Sequence, residues 1–219
     1  MLKNNKKRAR TDDEKETRRR RILKEATAFI SESGFDGVTM SGLATRANLA
    51  KGTLYLYFQT KEEVFLALFV EEMQVWIDLF VDQARAETIP DVMTQLSMDQ
   101  PLFLPLYARL VSVIEANVSE VAFIAAKRSM MEGGARVASC IETLLDVPSH
   151  VALDAATALM VALQGAAQFD ITTDHDPNSL PDDVRDYMAA HGFALQFPRA
   201  ARMILAGISA GEEAGGGIG

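Results

Sequence analysis

The chain of 219 residues is 48% hydrophobic and 24% charged, which supplies a core and argues against a disordered polymer. Its single cysteine, Cys140, excludes an intrachain disulfide framework or a four-cysteine zinc cluster and fits a reducing, cytoplasmic setting. Residues 1–21 hold 10 Lys or Arg against 4 Asp or Glu, so a net charge of −8 divides into a start of +6 and a remainder of −14. One reading of that division is an end suited to a polyanion on a body that a polyanion would repel; the other is a solvated tail that only aids solubility. No apolar run approaches the roughly 20 residues of a membrane span, and the first basic cluster leads into Asp12, Asp13 and Glu14 rather than an apolar signal core.

In chain order, residues 1–17 read as a basic flexible arm. Ile22, Leu23, Ala26, Phe29 and Ile30 then recur at helical spacing, and Gly34 supplies a stop. Thr39 can cap a second, short helix that turns Leu43, Ala44 and Ala47 inward until Asn48, a residue tolerant of the left-handed conformation. Leu49 plugs the corner, and a third helix over 51–58 places Leu54 and Phe58 on one face. Thr60, Lys61, Glu62 and Glu63 form a Thr-x-x-Glu capping box that opens a long fourth helix carrying Val64, Leu68, Trp76, Leu79 and Phe80. Pro90, Pro101 and Pro105 punctuate a region of shorter segments. Helical periodicity returns over 106–116 and 119–145, the latter with Gly133 and Gly134 as candidate kinks, and 149–170 forms a largely apolar helix. Residues 171–195 are loop-like with one short helix near 184–190; 198–208 is a last helix, and 211–219 a flexible Gly-rich tail. No alternating β pattern and no internal repeat occurs, so the expected fold is all-α.

Two short helices joined at Asn48 and Leu49 make a helix-turn-helix, whose second helix enters the major groove. Lys51, Gly52, Thr53, Tyr55 and Tyr57 would then offer a cation, a gap for close backbone approach, a hydroxyl and two phenols to phosphates and base edges. On periodicity alone, a helical hairpin whose tyrosines merely pack remains open.

The string Gly34-Phe35, Val38-Thr39-Met40, Leu43-Ala44, Ala47 to Phe58 and Lys61-Glu62-Glu63-Val64-Phe65 resembles the DNA-binding domain of TetR/AcrR-family bacterial transcription regulators. The resemblance spans residues 18–66. It implies operator contacts at Thr39, Lys51, Gly52, Thr53, Tyr55, Tyr57 and Lys61, with Arg20, Arg21, Ser41 and Arg46 as further candidates. It also implies a three-helix DNA-binding domain over 18–63, followed by a larger helical effector-binding and dimerisation domain over 64–210. The family usually has Gly-Val-Ser where this chain has Asn48-Leu49-Ala50. The alanine removes a helix cap worth on the order of 1 kcal/mol and one hydroxyl that could reach a phosphate.

A regulator of this kind is expected to be a repressor that binds a palindromic double-stranded DNA operator as a homodimer and is released by a small lipophilic effector. The small and apolar residues Val151, Ala152, Ala155, Leu159, Ala162, Leu163 and Ala166 suit close helix approach at a dimer interface, with burial inside the monomer as the alternative. Candidate effector-pocket residues are Trp76, Phe80, Phe103, Tyr107, Leu110, Ile114, Phe123, Met130, Met131, Met160 and Gln164, each of which also fits ordinary core. An enzyme reading would place a metal at Asp174, His175 and Asp176, with His150 and His191 as further donors, or a nucleophile at Cys140. No hydrolase, zinc-protease or phosphate-loop motif supports it, so no catalytic residue, cofactor or metal is expected.

Overall fold

A computed structural model describes residues 2–170 and 179–215, with side chains described over 13–169 and 179–208. Among the described residues every regular element is helical: α1 (Leu2–Gly37), α2 (Met40–Arg46), α3 (Lys51–Leu54), α4 (Lys61–Gln83), α5 (Ile89–Asp99), α6 (Phe103–Arg109), α7 (Glu120–Leu145), α8 (Ser149–Ala167), α9 (Asp182–His191) and α10 (Phe193–Gly215). A π-helical turn, Leu110–Ile114, and short 3-10 turns at Ala86–Thr88, Glu115–Asn117 and Gln168–Asp170 join them.

The helices divide into two compact units, Met1–Leu68 with Val111–Ile124, and Phe69–Leu110 with Ala125–Gly219. In the first, Ile22, Leu23, Ala26 and Ile30 of α1 close a small core with Leu43, Ala44, Ala47, Leu54 and Phe58, all buried. Gly34 breaks the α1 helix at φ +69°, a conformation that costs a side-chain-bearing residue but not glycine. The chain can therefore turn so that Phe35 meets Phe65 edge-on, ring centroids 5.3 Å apart. α1 also reaches back to Leu2, so residues 2–17 are helical where an irregular arm was expected. The reason lies in composition: no Gly or Pro precedes Gly34, and the Lys, Arg and Glu of this stretch are good helix formers.

The second unit is built around a column of aromatic rings. Trp76 lies parallel to Phe80 at 5.3 Å and to Phe103 at 5.8 Å, and Phe69 stacks on Tyr107 at 5.2 Å. Beside it, α8 packs against α10 and α6, and α10 against α5. α8 has the length and composition of a membrane span, but Ala152, Ala155, Ala156, Leu159, Leu163 and Ala166 are buried within the unit, the pattern of a core helix.

Several boundaries differ from the sequence expectation. Residues 106–116 do not form one helix, because α6 passes into the π turn and then a 3-10 turn. α5 takes Pro90 in its first turn, where a missing N–H costs nothing. α7 runs unbroken through Gly133 and Gly134. α10 begins at Phe193 rather than 198, since Phe193 and Phe197, stacked at 5.4 Å and fully buried, anchor its first turns. It also continues over 211–215, where Glu212, Glu213 and Ala214 favour helix and a mobile tail was expected. Residues 171–178 and 216–219 lie outside the described part.

Candidate nucleic-acid interface

The turn between α2 and α3 forms as its sequence dictates. Thr39 caps α2, its Oγ1 accepting from the Gly42 N–H at 3.1 Å, and Asn48 takes the left-handed conformation at φ 51°. The Leu49 N–H then donates to the Ala44 carbonyl at 2.9 Å, fixing the corner. α2 can lie this close to α1 only because residue 42 is glycine: a Cβ there would stand 2.7 Å from Phe29 Cε1.

α3 is shorter than expected. Its N-cap, Ala50, makes no side-chain cap bond, and α-helix proper covers Lys51–Leu54. Residues 55–58 continue in tight turns, with the Tyr57 and Phe58 N–H groups both donating to the Leu54 carbonyl at 2.9 and 3.1 Å. The cause is local, since the first turn lacks a cap and contains Gly52, and the aromatic pair Tyr55 and Tyr57 are weaker helix formers. Leu54 and Phe58 are buried, whereas Lys51, Gly52 and Tyr55 are exposed and Thr53 and Tyr57 half-buried. Among the described residues the side chains of Lys51, Thr53, Tyr55 and Tyr57 make no hydrogen bond within the chain. Gly52 has nothing within 4 Å of where a Cβ would lie. A helical glycine that no neighbour requires costs about 0.5–1 kcal/mol relative to alanine, and nothing among the described residues accounts for a glycine here.

Other candidates are placed differently. Arg20 and Arg21 are exposed on α1, Arg20 Nε 3.3 Å from Glu16. Ser41 is exposed, its carbonyl accepting from Thr45 Oγ1. Arg46 is engaged at home: its guanidinium sits 4.3 Å from the centroid of the Phe29 ring and donates through both terminal nitrogens to the Glu32 carboxylate. That fork ties α2 to α1, holds Glu32 below the usual carboxylate range and raises Arg46. Lys61 is half-buried, its Nζ donating to the Phe35 carbonyl at 3.4 Å. Arg19 belongs to the basic run Arg18–Arg21 at the end of the charged start, and its guanidinium lies 5.6 Å from the Phe58 ring centroid, a contact that the sequence does not announce.

The capping box at the start of α4 forms on one side only. Thr60 Oγ1 accepts from the Glu63 N–H at 3.1 Å, but Glu63 turns to the Gln59 N–H, at 2.6 Å, and to Ser119, 56 residues away. No pattern in the sequence announces that second partner.

The predicted effector residues fall into both units. In the second, Trp76, Phe80, Phe103 and Leu110 are buried, and the rings of the first three belong to the aromatic column. Trp76 Nε1 donates to Ser97 Oγ at 3.0 Å, Tyr107 Oη to the Met160 carbonyl at 3.2 Å, and Gln164 Nε2 to the Tyr107 carbonyl at 3.3 Å. Burial pushes the Tyr107 phenol well above its ordinary value. Met130, Met160 and Gln164 are half-buried, and Met131 is 73% exposed, which removes it from any pocket wall in this conformation. Ile114, buried, and Phe123, half-buried, belong to the first unit. A cavity of about 370 Å³ does open in the second unit, but between Thr94 and Gln95 of α5 and Leu195, Pro198 and Arg199 of α10, and none of these predicted side chains lines it.

The predicted dimer residues are also redistributed. Ala152, Ala155, Leu159, Leu163 and Ala166 are buried in the chain's own unit and have no surface left to cover, while Val151 and Ala162 are half-buried. The outward face of α8 instead carries Leu153, Thr157, Val161 and Gly165, continued by Phe169. Asp174, His175 and Asp176 lie outside the described residues. His191 stacks on Tyr187 at 4.1 Å, with Nδ1 2.7 Å from the Tyr187 carbonyl, and among the described residues no three His, Cys, Asp or Glu group as metal ligands. Burial raises the Cys140 thiol, opposite to what a nucleophile needs.

A one-turn recognition helix held by a left-handed corner, with a cation, hydroxyls and a bare glycine facing outward, defines a helix-turn-helix DNA-binding protein. Comparison with known proteins agrees. The family model described as bacterial regulatory proteins, tetR family, matches residues 22–68, and the tetracyclin repressor-like C-terminal domain matches residues 64–214. The fatty acid metabolism regulator protein of Bacillus subtilis is 39% identical over 57 residues, 26% of this chain and 29% of that protein. The biofilm operon icaADBC negative transcriptional regulator IcaR of Staphylococcus epidermidis is 25% identical over 139 residues, 61% of this chain and 72% of that protein. The fold is shared with Thermus thermophilus FadR, a TetR-family repressor solved in complex with lauroyl-CoA, at TM-score 0.54 and 18% identity over 85% of this chain and 93% of that one. The chain belongs to the tetR family and is a transcriptional regulator.

Proposed function

We propose that the chain is a cytoplasmic homodimeric repressor whose α3 docks in the major groove of a palindromic operator, and which a lipophilic effector of the long-chain acyl-CoA class releases. The observation that carries the DNA reading is the outward set on α3, polar side chains without a hydrogen-bond partner among the described residues, around a glycine that no described neighbour requires. Residues 18–63 form the reading head and residues 64–210 the regulatory and self-association part. Two heads must meet successive half-sites, which calls for a two-fold pair. Support for that pairing comes from α8, where Leu153, Thr157, Val161 and Gly165 recur every fourth residue as an exposed stripe, with Leu153 53% and Val161 66% accessible. The effector class is supported by the lauroyl-CoA complex of the Thermus thermophilus FadR and by the half-buried, adaptable Met130 and Met160 of the second unit. Release requires only that the effector prefer a conformation whose two heads no longer fit the operator.

The test is selection of duplexes from a random pool by the purified protein, followed by footprinting at fixed salt against random competitor, with and without lauroyl-CoA. A protected palindrome that is freed by the thioester establishes the reading. Binding no tighter than to random DNA overturns it, and a palindrome indifferent to the thioester overturns the effector class alone. Val161→Asp should convert dimers to monomers in sedimentation; a dimer that survives places the interface elsewhere.

A further inference from the structure

Glu63 sits where two helices start. It belongs to the first turn of α4, yet its carboxylate reaches the residue that precedes α7: Oε1 accepts from the Ser119 N–H at 3.1 Å and from Ser119 Oγ at 2.5 Å, and Oε2 accepts from the Gln59 N–H at 2.6 Å. Beside it Thr60 Oγ1 donates to the Asn117 carbonyl at 3.0 Å. All of these residues lie in the first unit, with the helix-turn-helix.

Glu63 as a residue is only 6% exposed. A charge taken out of water is costly unless hydrogen bonds and dipoles replace the lost hydration. Here the three donors are neutral, and the two backbone N–H groups among them belong to Gln59 and Ser119, residues that lie just ahead of the first turns of α4 and α7. Burial alone would raise the carboxyl; the bonds from Ser119 and Gln59 outweigh it and hold the group below the ordinary carboxylate range. Pulling α4 away from residues 117–119 would strip this buried charge of two of its three donors, so the two segments are constrained to move together. On the other side, α4 is six residues from α3, and those residues are held by tight-turn bonds and by the buried Phe58. A chain of short, satisfied contacts thus runs from the outward face of α3 to the first turn of α7.

We infer that Glu63 is a positioning residue, through which occupancy of α3 by DNA and the state of the first turn of α7 are coupled. This rests on the DNA-binding reading above and goes beyond it by assigning the joint. Coupling between two sites is reciprocal, so DNA itself can serve as the probe and no effector is needed.

Hydrogen exchange of the full chain, with and without the palindromic duplex selected by the wild-type protein, reads the joint directly. In the wild type, DNA should slow exchange at α3 and also at the amides of residues 119–124, starting with the Ser119 N–H that Glu63 holds. In Glu63→Gln, a near-isosteric change that withdraws the charge, protection at α3 should persist while the response at 119–124 disappears, with operator affinity down on the order of tenfold. Ser119→Ala keeps the N–H and loses the hydroxyl donor, so it should show a partial loss; it carries the same readout should Glu63→Gln fail to fold. The double variant should bind DNA no worse than the weaker single one, because both remove one joint. The inference is overturned if both variants keep the 119–124 response, or if wild-type α3 is protected while 119–124 never responds. Absence of α3 protection by any duplex overturns the DNA-binding reading, and this inference with it.

Discussion

The helix-turn-helix and the aromatic column treat their polar atoms in opposite ways. On α3 the Lys51 ammonium, the Thr53 hydroxyl and the Tyr55 and Tyr57 phenols make no hydrogen bond within the chain, among the described residues. In the column, the Trp76 indole, the Tyr107 phenol and the Gln164 amide each close on a partner inside the same unit. Both regions are rich in aromatic rings, so composition does not separate them. What separates them is where the donors go: the polar tips of the column are satisfied inside the unit, whereas those on α3 have no partner among the described residues.

The largest effect expected from this contrast is at Trp76. Trp76→Ala removes the ring stacked between Phe80 and Phe103 and should lower stability by about 3–5 kcal/mol in denaturant unfolding; a loss below about 1 kcal/mol would mean that the ring lines an open cavity instead of filling a core. Next comes the outward set. Lys51→Ala with Tyr57→Phe should leave the unfolding midpoint unchanged and lower operator affinity by about 2–3 kcal/mol, with the salt slope reduced by about 1 for the lost phosphate contact. An unaltered salt slope would show that α3 docks elsewhere.

The two glycines of the module sharpen the contrast further, because they predict opposite signs. Gly42→Ala drives a Cβ into Phe29 and should destabilise the fold by about 1–3 kcal/mol. Gly52→Ala meets open space and should stabilise it by about 0.5–1 kcal/mol while weakening DNA binding. Paired thermal melts and binding isotherms check both, and a Gly52→Ala protein that binds DNA normally would remove the argument for close approach. The smallest effect concerns acid. The folded-state carboxyl of Glu63 lies below its ordinary 4.5, so its stabilising contribution is complete above that value and fades as pH falls through the lower folded one. Ser119→Ala should therefore narrow its stability gap to wild type as pH drops below about 4.5; a gap independent of pH would deny the carboxylate its charge.

Much of the first unit was legible because its rules are local. A cap at Thr39, a left-handed Asn48 and inward Leu54 and Phe58 follow from residue types and spacing within twenty positions. The pairing of Arg46 was not legible: its partners Glu32 and Phe29 lie on another helix, and an arginine on a DNA-binding helix looks the same whether it faces phosphate or carboxylate. Glu63 was legible as a capping residue and illegible as a bridge, since Ser119 is brought to it by tertiary folding. On α8 the periodicity found the helix but not which of its faces the chain itself covers. Both faces are apolar, and only the packing of α10 and α6 decides that Leu159 and Leu163 turn inward and Val161 outward.

The chain contains one tryptophan, and the fold places it at the centre of the column, fully buried, flanked by two parallel rings and donating to Ser97. Its emission therefore belongs to a single, water-free site and to no other part of the molecule. Intrusion of a ligand between the rings, or a shift of α4 against α5 that breaks the Ser97 bond, would alter that emission without any label. The regulator carries its own optical gauge of the second unit, while the tyrosines of α3 leave the reading head outside that signal.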